Sequence, residues 1–193
     1  MRGWYALLVD GNNIEGSPPA GWISAVHGSR LETGMERIQA IAAARFAVED
    51  IMLRYAEGID VGDIETVGDV FAEGELVMPD GSSLVGAKQV FDHFSNLIIF
   101  YDVEGRVVPY RRLASTPRTR HVTSNIIYDF NDAVNHASVR SYITCYQTID
   151  DKNEIIFGGR YVDTFDLDEK GWHLVCREIL GDNIGDTSHH LKS

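Results

Sequence analysis

From Met35 to Ile59, apolar residues recur every three or four positions, at Ile38, Ile41, Ala44, Val48, Met52, Tyr55 and Ile59. That period puts them on one face of a long amphipathic helix. A shorter helix is predicted in "GDIETVGDVFA", where Asp63 can cap the free backbone N–H groups and Ile64, Val67, Val70 and Phe71 form the inward stripe. Gly74 ends it. "ELVMPDGSSLVG" reads as a hairpin around Asp80-Gly81, a pair that tolerates the positive φ of a tight turn. Helical spacing resumes in "AKQVFDHFSNLIIFYD" through Val90, Phe91, Phe94, Leu97 and Ile98.

Beyond that point the pattern becomes β-branched and aromatic. The runs "TRHVTSNIIYDF", "HASVRSYITCYQTI", "EIIFGGRYVDTFDL" and "WHLVCREIL" are separated by the turn clusters "NDAVN", "DDKN" and "DEKG", as in a meander of long antiparallel strands. The glycines of "FGGR" lie within a strand and predict a bulge. Helices followed by strands imply an α+β fold with helices on one face of a curved sheet. Residues 1–34, rich in Gly, Pro and Ser, read as an irregular N-terminal arm, 35–183 as the folded domain, and 184–193 as a polar C-terminal tail.

Composition narrows the classes of function. A length of 193 residues suits one compact domain with a core large enough to hold a cavity. The formal charge of −12 repels phosphate backbones and anionic lipid, which argues against a nucleic-acid or membrane-surface partner. The N-terminal apolar run is shorter than a secretory or membrane-spanning segment. The chain's two cysteines, Cys145 and Cys176, fall in strand-like runs and read as buried reduced thiols, which suits a cytoplasmic protein. H-E-x-x-H, paired C-x-x-C and G-x-S-x-G patterns are absent, and His189-His190 falls in the polar tail, so no metal site is expected.

The chemistry-bearing residues sit at unexpected places in the apolar pattern. In "LRYAEGID" the helical stripe carries Tyr55 and runs into Asp60. Alternation in "TRHVTSNIIYDF" puts His121, Thr123 and Asn125 on one strand face, and in "WHLVCREIL" it sets Arg177 among apolar neighbours, where it needs an acidic partner or a wet cavity. A strand histidine read singly is a structural residue, and a lone aspartate after a helix is a cap. Together, a base with a near-neutral ordinary pKa, a carboxylate to hold its second nitrogen and a phenol for a substrate oxygen make an acid–base set. Phe94, Tyr142 and Tyr161 are among the aromatics that either line an apolar pocket or fill the core.

The order of helix with "Y-x4-D", short helix, hairpin, "G-A-x3-F" helix, "R-H-V-T-S-N", "G-R-Y-V-D" and "G-W-x4-R" resembles the SnoaL-like branch of the NTF2-like superfamily, over residues 35 to 183. That branch includes proteins similar to scytalone dehydratase and bile acid 7α-dehydratase. The resemblance implies a cone-shaped α+β barrel around a hydrophobic cavity, assembled as a homodimer or homotrimer and working without metal or organic cofactor. It implies that His121 takes a proton from carbon, Asp60 fixes its tautomer and Tyr55 hydrogen-bonds a substrate oxygen. Arg177 and Asn125 would support the substrate or simply find structural partners, and the ligand would be a small cyclic, polyketide- or steroid-like molecule. Two other functions fit the same scaffold: a non-catalytic assembly subunit resembling an aromatic-ring dioxygenase β subunit, and a ketosteroid-isomerase- or cyclase-like isomerase.

Overall fold

The computed structural model describes residues 20–192, with side chains described from residue 33. The chain divides into two compact units, residues 1–38 and 39–193. In the first, the described backbone belongs to helix α1 (Ala20–Val61), and its described side chains are exposed, Ile38 among them. Helix α1 therefore starts well before Met35, within the stretch expected to be irregular. Pro18 and Pro19 directly precede it, a placement that suits a helix start, and the Gly and Ser residues that follow each cost a helix no more than about 1 kcal/mol. Residues 1–19 of the expected arm lie outside the described residues.

In the second unit α1 buries Ala44, Val48, Met52, Tyr55, Ala56 and Ile59, the face its period marks. Helix α2 (Ile64–Val70) follows, with the Asp63 carboxylate accepting from the Thr66 backbone N–H. Strands β1 (Glu75–Val77) and β2 (Ser83–Val85) form the expected hairpin, and α3 (Gly86–Leu97) buries Val90 and Phe94. A ribbon of β3 (Phe100–Tyr101) and β4 (Val107–Val108) comes next; strands of two residues are too short to show a period in the sequence.

The four long strands are β5 (Thr119–Phe130), β6 (His136–Ile149), β7 (Lys152–Asp168) and β8 (Gly171–Ile184). They pair antiparallel in sequence order, and β1 adds in parallel to β8, giving the order β2-β1-β8-β7-β6-β5. The architecture is α+β, as the patterning predicts. Met52 and Tyr55 of α1, Phe71 after α2 and Phe94 of α3 share one core with Ile143, Phe165 and Leu174 of the sheet. Each such large side chain contributes about 1.5–3 kcal/mol of burial.

Two interruptions redirect side chains. The register of β7 shifts at Gly158 and Gly159, in "FGGR". In β5 the register shifts between Ser124 and Ile127, and Asn125 takes a positive φ of 52°. The bulge reverses the alternation beyond it: Ile126, Tyr128 and Phe130 turn to the half-buried face and Asn125 is left exposed. Strict alternation, which had placed Asn125 beside His121, fails for this reason.

Of the two settings open to it, an acidic partner or a wet cavity, Arg177 has the acid. Its Nε and Nη2 donate to the two carboxylate oxygens of Asp163 at 2.8 and 2.6 Å, with both side chains almost fully buried. Such a pair adds little net stability over an apolar pair, but removing one member strands a buried charge. Asp163→Ala is expected to cost about 3–5 kcal/mol in a urea-unfolding measurement. An unchanged denaturation midpoint would show that Arg177 finds another partner.

Candidate functional site

Helix α1 has to end where it does. After Val61 the chain turns at Gly62 with a φ of +74°, and a Cβ there would stand 2.0 Å from the Ser115 carbonyl oxygen, so only glycine fits. The turn is closed by Gly62 N–H to Ile59 O and Asp63 N–H to Gly58 O, at 3.1 and 2.7 Å. Asp60, in the last turn, thus points at the start of β5 rather than capping a helix.

There its carboxylate collects three donors. Thr119 Oγ1 donates to Oδ1 at 2.8 Å, the His121 backbone N–H donates to Oδ2 at 2.7 Å, and His121 Nδ1 lies 2.6 Å from Oδ1. A carboxylate in this setting only accepts, so the proton of a neutral His121 ring sits on Nδ1 and leaves Nε2 with a free lone pair. Burial works to raise the Asp60 carboxyl, but the hydrogen bonds and charge of His121, with help from Thr119, outweigh it and hold the group below the usual aspartate range. Asp60 is therefore an anion held for His121.

His121 lines a cavity of about 500 Å³ bounded mainly by apolar side chains, including Ile59, Phe94, Leu97, Ile98, Phe157 and Ile179. Tyr55 and Tyr161 line it too. Burial raises the Tyr55 phenol to about 12 and carries Tyr161 well above its ordinary value, so both are hydrogen-bond donors at neutral pH. Arg177 does not line the cavity. Its guanidinium lies 4.5 Å from the Tyr55 ring centroid and 4.2 Å from that of Tyr161, behind both rings.

Of the residues singled out from the sequence, Tyr55, Asp60, Phe94, His121 and Tyr161 come together at this cavity, Asp60 through its bonds to His121. Asn125 does not, because of the β5 bulge, and Tyr142 is 51 % exposed on the other face of β6 from Cys145. Cys145 pairs with His121 across the sheet and faces the cavity, where burial and then the Asp60 charge push its thiol up to about 12. It is a neutral lining group. Both cysteines are free thiols.

Sequence reasoning missed two histidines. His93 on α3 lines the cavity, and so does His190, in the C-terminal segment read as a tail. That segment returns to the domain: Ile99 N–H donates to the His190 carbonyl and Lys192 N–H to the Leu97 carbonyl, both at 2.8 Å. A polar ten-residue stretch carries no period that would announce this. Among the described residues, Glu73, Asp168 and His173 bring three metal-ligand atoms within 4.8 Å of one another. None of the three lines the cavity, and Lys170 already holds the Glu73 carboxylate at 2.6 Å.

A family model for the SnoaL-like domain matches residues 40–178. The chain belongs to the SnoaL-like family. The match spans the helices and sheet that carry Tyr55, Asp60, His121 and Arg177, and stops short of His190. No curated protein matches the chain in sequence. Solved structures share the fold. An NTF2-like protein with a cystatin-like fold from Novosphingobium aromaticivorans is 15% identical, with a TM-score of 0.61, covering 81% of this chain and 93% of that one. A candidate scytalone dehydratase from the same organism is 20% identical at a TM-score of 0.58, covering 77% and 91%. LinA is 12% identical at 0.59, covering 78% and 93%. At such identities the likeness carries the fold of this SnoaL-like chain and nothing finer. No helix among the described residues is long and apolar enough to cross a membrane.

The depressed Asp60 pKa has a stability consequence. Its folded value lies below the ordinary 3.8, so the stability it contributes is present above that pH and is lost as pH falls through the folded value. Asp60→Asn is thus expected to be less stable than wild type near neutral pH, with the gap closing as pH drops below about 4. Urea midpoints of the two proteins between pH 7 and 3 check this; a gap that widens on acidification would contradict the assignment.

Proposed function

We propose that this SnoaL-like protein is a cofactor-independent lyase that removes water from a small cyclic substrate, with His121 and Asp60 as the acid–base pair. The observation that carries the reading is the 2.6 Å contact between Asp60 and His121 Nδ1, with the His121 ring on the wall of a largely apolar cavity. A merely structural histidine needs no such cavity, and a cavity for passive binding needs no oriented base.

In the proposed reaction, a ring compound with a carbonyl and a β-hydroxyl enters the cavity. His121 Nε2 takes the proton from the carbon between them as the Tyr55 phenol donates to the carbonyl oxygen. The carbon–carbon double bond forms as the carbon–oxygen bond of the hydroxyl breaks, and the imidazolium returns its proton to the departing oxygen as water. Asp60 holds the ring and stabilises the imidazolium. The apolar lining strengthens these interactions and disfavours a charged ligand. An isomerase would use the same first step, with the proton returned to carbon; the assembly-subunit reading leaves the oriented His121–Asp60 pair without a purpose.

The test is a panel of β-hydroxylated cyclic ketones of one to four rings, followed by absorbance of the conjugated enone. Wild type is expected to form enone from at least one member. His121→Ala and Asp60→Asn should lower kcat by about 10²–10⁴-fold, and Tyr55→Phe by about 10²-fold, with the fold intact by circular dichroism. Full activity in His121→Ala would remove the base. Double-bond migration without loss of water would move the assignment to an isomerase.

A further inference from the structure

His190 is a cavity residue that the acid–base scheme leaves unused. It lies outside the span the family model matches, on a segment fixed at many points. His190 N–H and Leu191 N–H both donate to the Thr187 carbonyl at 2.8 Å, closing a turn. The neighbouring His189 carbonyl accepts from the Tyr101 hydroxyl at 2.7 Å and from Gln147 Nε2 at 2.9 Å. Leu191 bridges Ile98, and Lys192 Nζ reaches the Asn96 carbonyl at 2.7 Å. So firm a seat fixes the backbone that carries the His190 ring.

The ring itself is unsatisfied. His190 Nδ1 is shut off from water and has no hydrogen-bond partner, so Nε2, for which no partner is found among the described residues either, is the ring nitrogen left to meet a ligand. His190 shares the cavity wall with His121 and is close enough to feel the charges of both His121 and Asp60. Burial, and then the His121 charge, lower it to about 4, so it faces the dyad as a neutral imidazole. A neutral imidazole can donate from one nitrogen and accept at the other. It is matched to an uncharged hydroxyl or carbonyl oxygen.

We propose that His190 is a substrate-binding residue, supplied by the C-terminal segment, that hydrogen-bonds an uncharged oxygen of the ligand beside the His121–Asp60 pair. The consequence is a preference for oxygenated over purely hydrocarbon rings of the same shape. This rests on the cavity serving the elimination proposed above, since the oxygen held at His190 would be one of the two that reaction requires.

The test reads binding rather than turnover, so its outcome is independent of whether elimination occurs. The full chain is titrated with 2-naphthol and with naphthalene, following fluorescence. Wild type is expected to bind 2-naphthol more tightly, and His190→Phe to lose about fivefold on 2-naphthol while keeping naphthalene affinity within about twofold. His190→Gln, which keeps an amide donor and acceptor, should restore most of the preference. Independently of any variant, the His190 ring nitrogen resonances of the wild type should shift on adding 2-naphthol and stay in place with naphthalene. No preference for 2-naphthol in wild type, equal losses for both probes in His190→Phe, or unmoved His190 resonances would each overturn the proposal.

Discussion

The carboxylate of Asp60 is the point on which the site hangs. It lies in the last turn of α1, yet its carboxylate bonds to Thr119 and His121 on β5, so one buried anion ties the first helix to the first long strand. A carboxylate this sheltered would ordinarily drift toward its neutral form. Three donors from a single strand reverse that tendency, and the reversal orients the histidine: the ring is held at Nδ1, and Nε2 is free. The glycine that follows is part of the same constraint. Any side chain at Gly62 would collide with the Ser115 carbonyl and move the last turn of α1 away from β5.

A buried charge pair, Arg177 with Asp163, lies behind the phenol cluster without entering the cavity. Its guanidinium packs on both Tyr55 and Tyr161, so the two phenol rings on the cavity wall are backed by a cation that keeps its charge. The result is a separation of roles by burial. Tyr55, Cys145 and His190 are held neutral by desolvation, and the anion at Asp60 is satisfied from behind His121. Such a wall combines neutral hydrogen-bonding groups with a single buried anion.

The SnoaL-like scaffold accommodates this arrangement at identities of 12% to 20% with the solved structures named above. The shared elements supply a curved sheet and packed helices. Individual side chains, and the segment beyond β8, set what that cavity can hold. His190 is such a contribution, made by residues that follow the matched span.

By itself the sequence determined the period of α1, the hairpin at Asp80-Gly81, the four-strand meander and the need of Arg177 for an acidic partner or a wet cavity, because each follows from local periodicity or from the cost of an unpaired buried charge. The juxtaposition of Tyr55, Asp60 and His121 was legible only through the order of short motifs, since residues sixty apart have no local signal of contact. Tertiary structure alone decided the rest. It extended α1 back to Ala20, and through a single bulge it turned Asn125 outward. Tyr142 likewise lies on the exposed face of its strand. His190 entered the cavity on a segment held by backbone hydrogen bonds and by the side chains of Tyr101 and Gln147, far away in the sequence, and for that reason no local residue pattern foretold it.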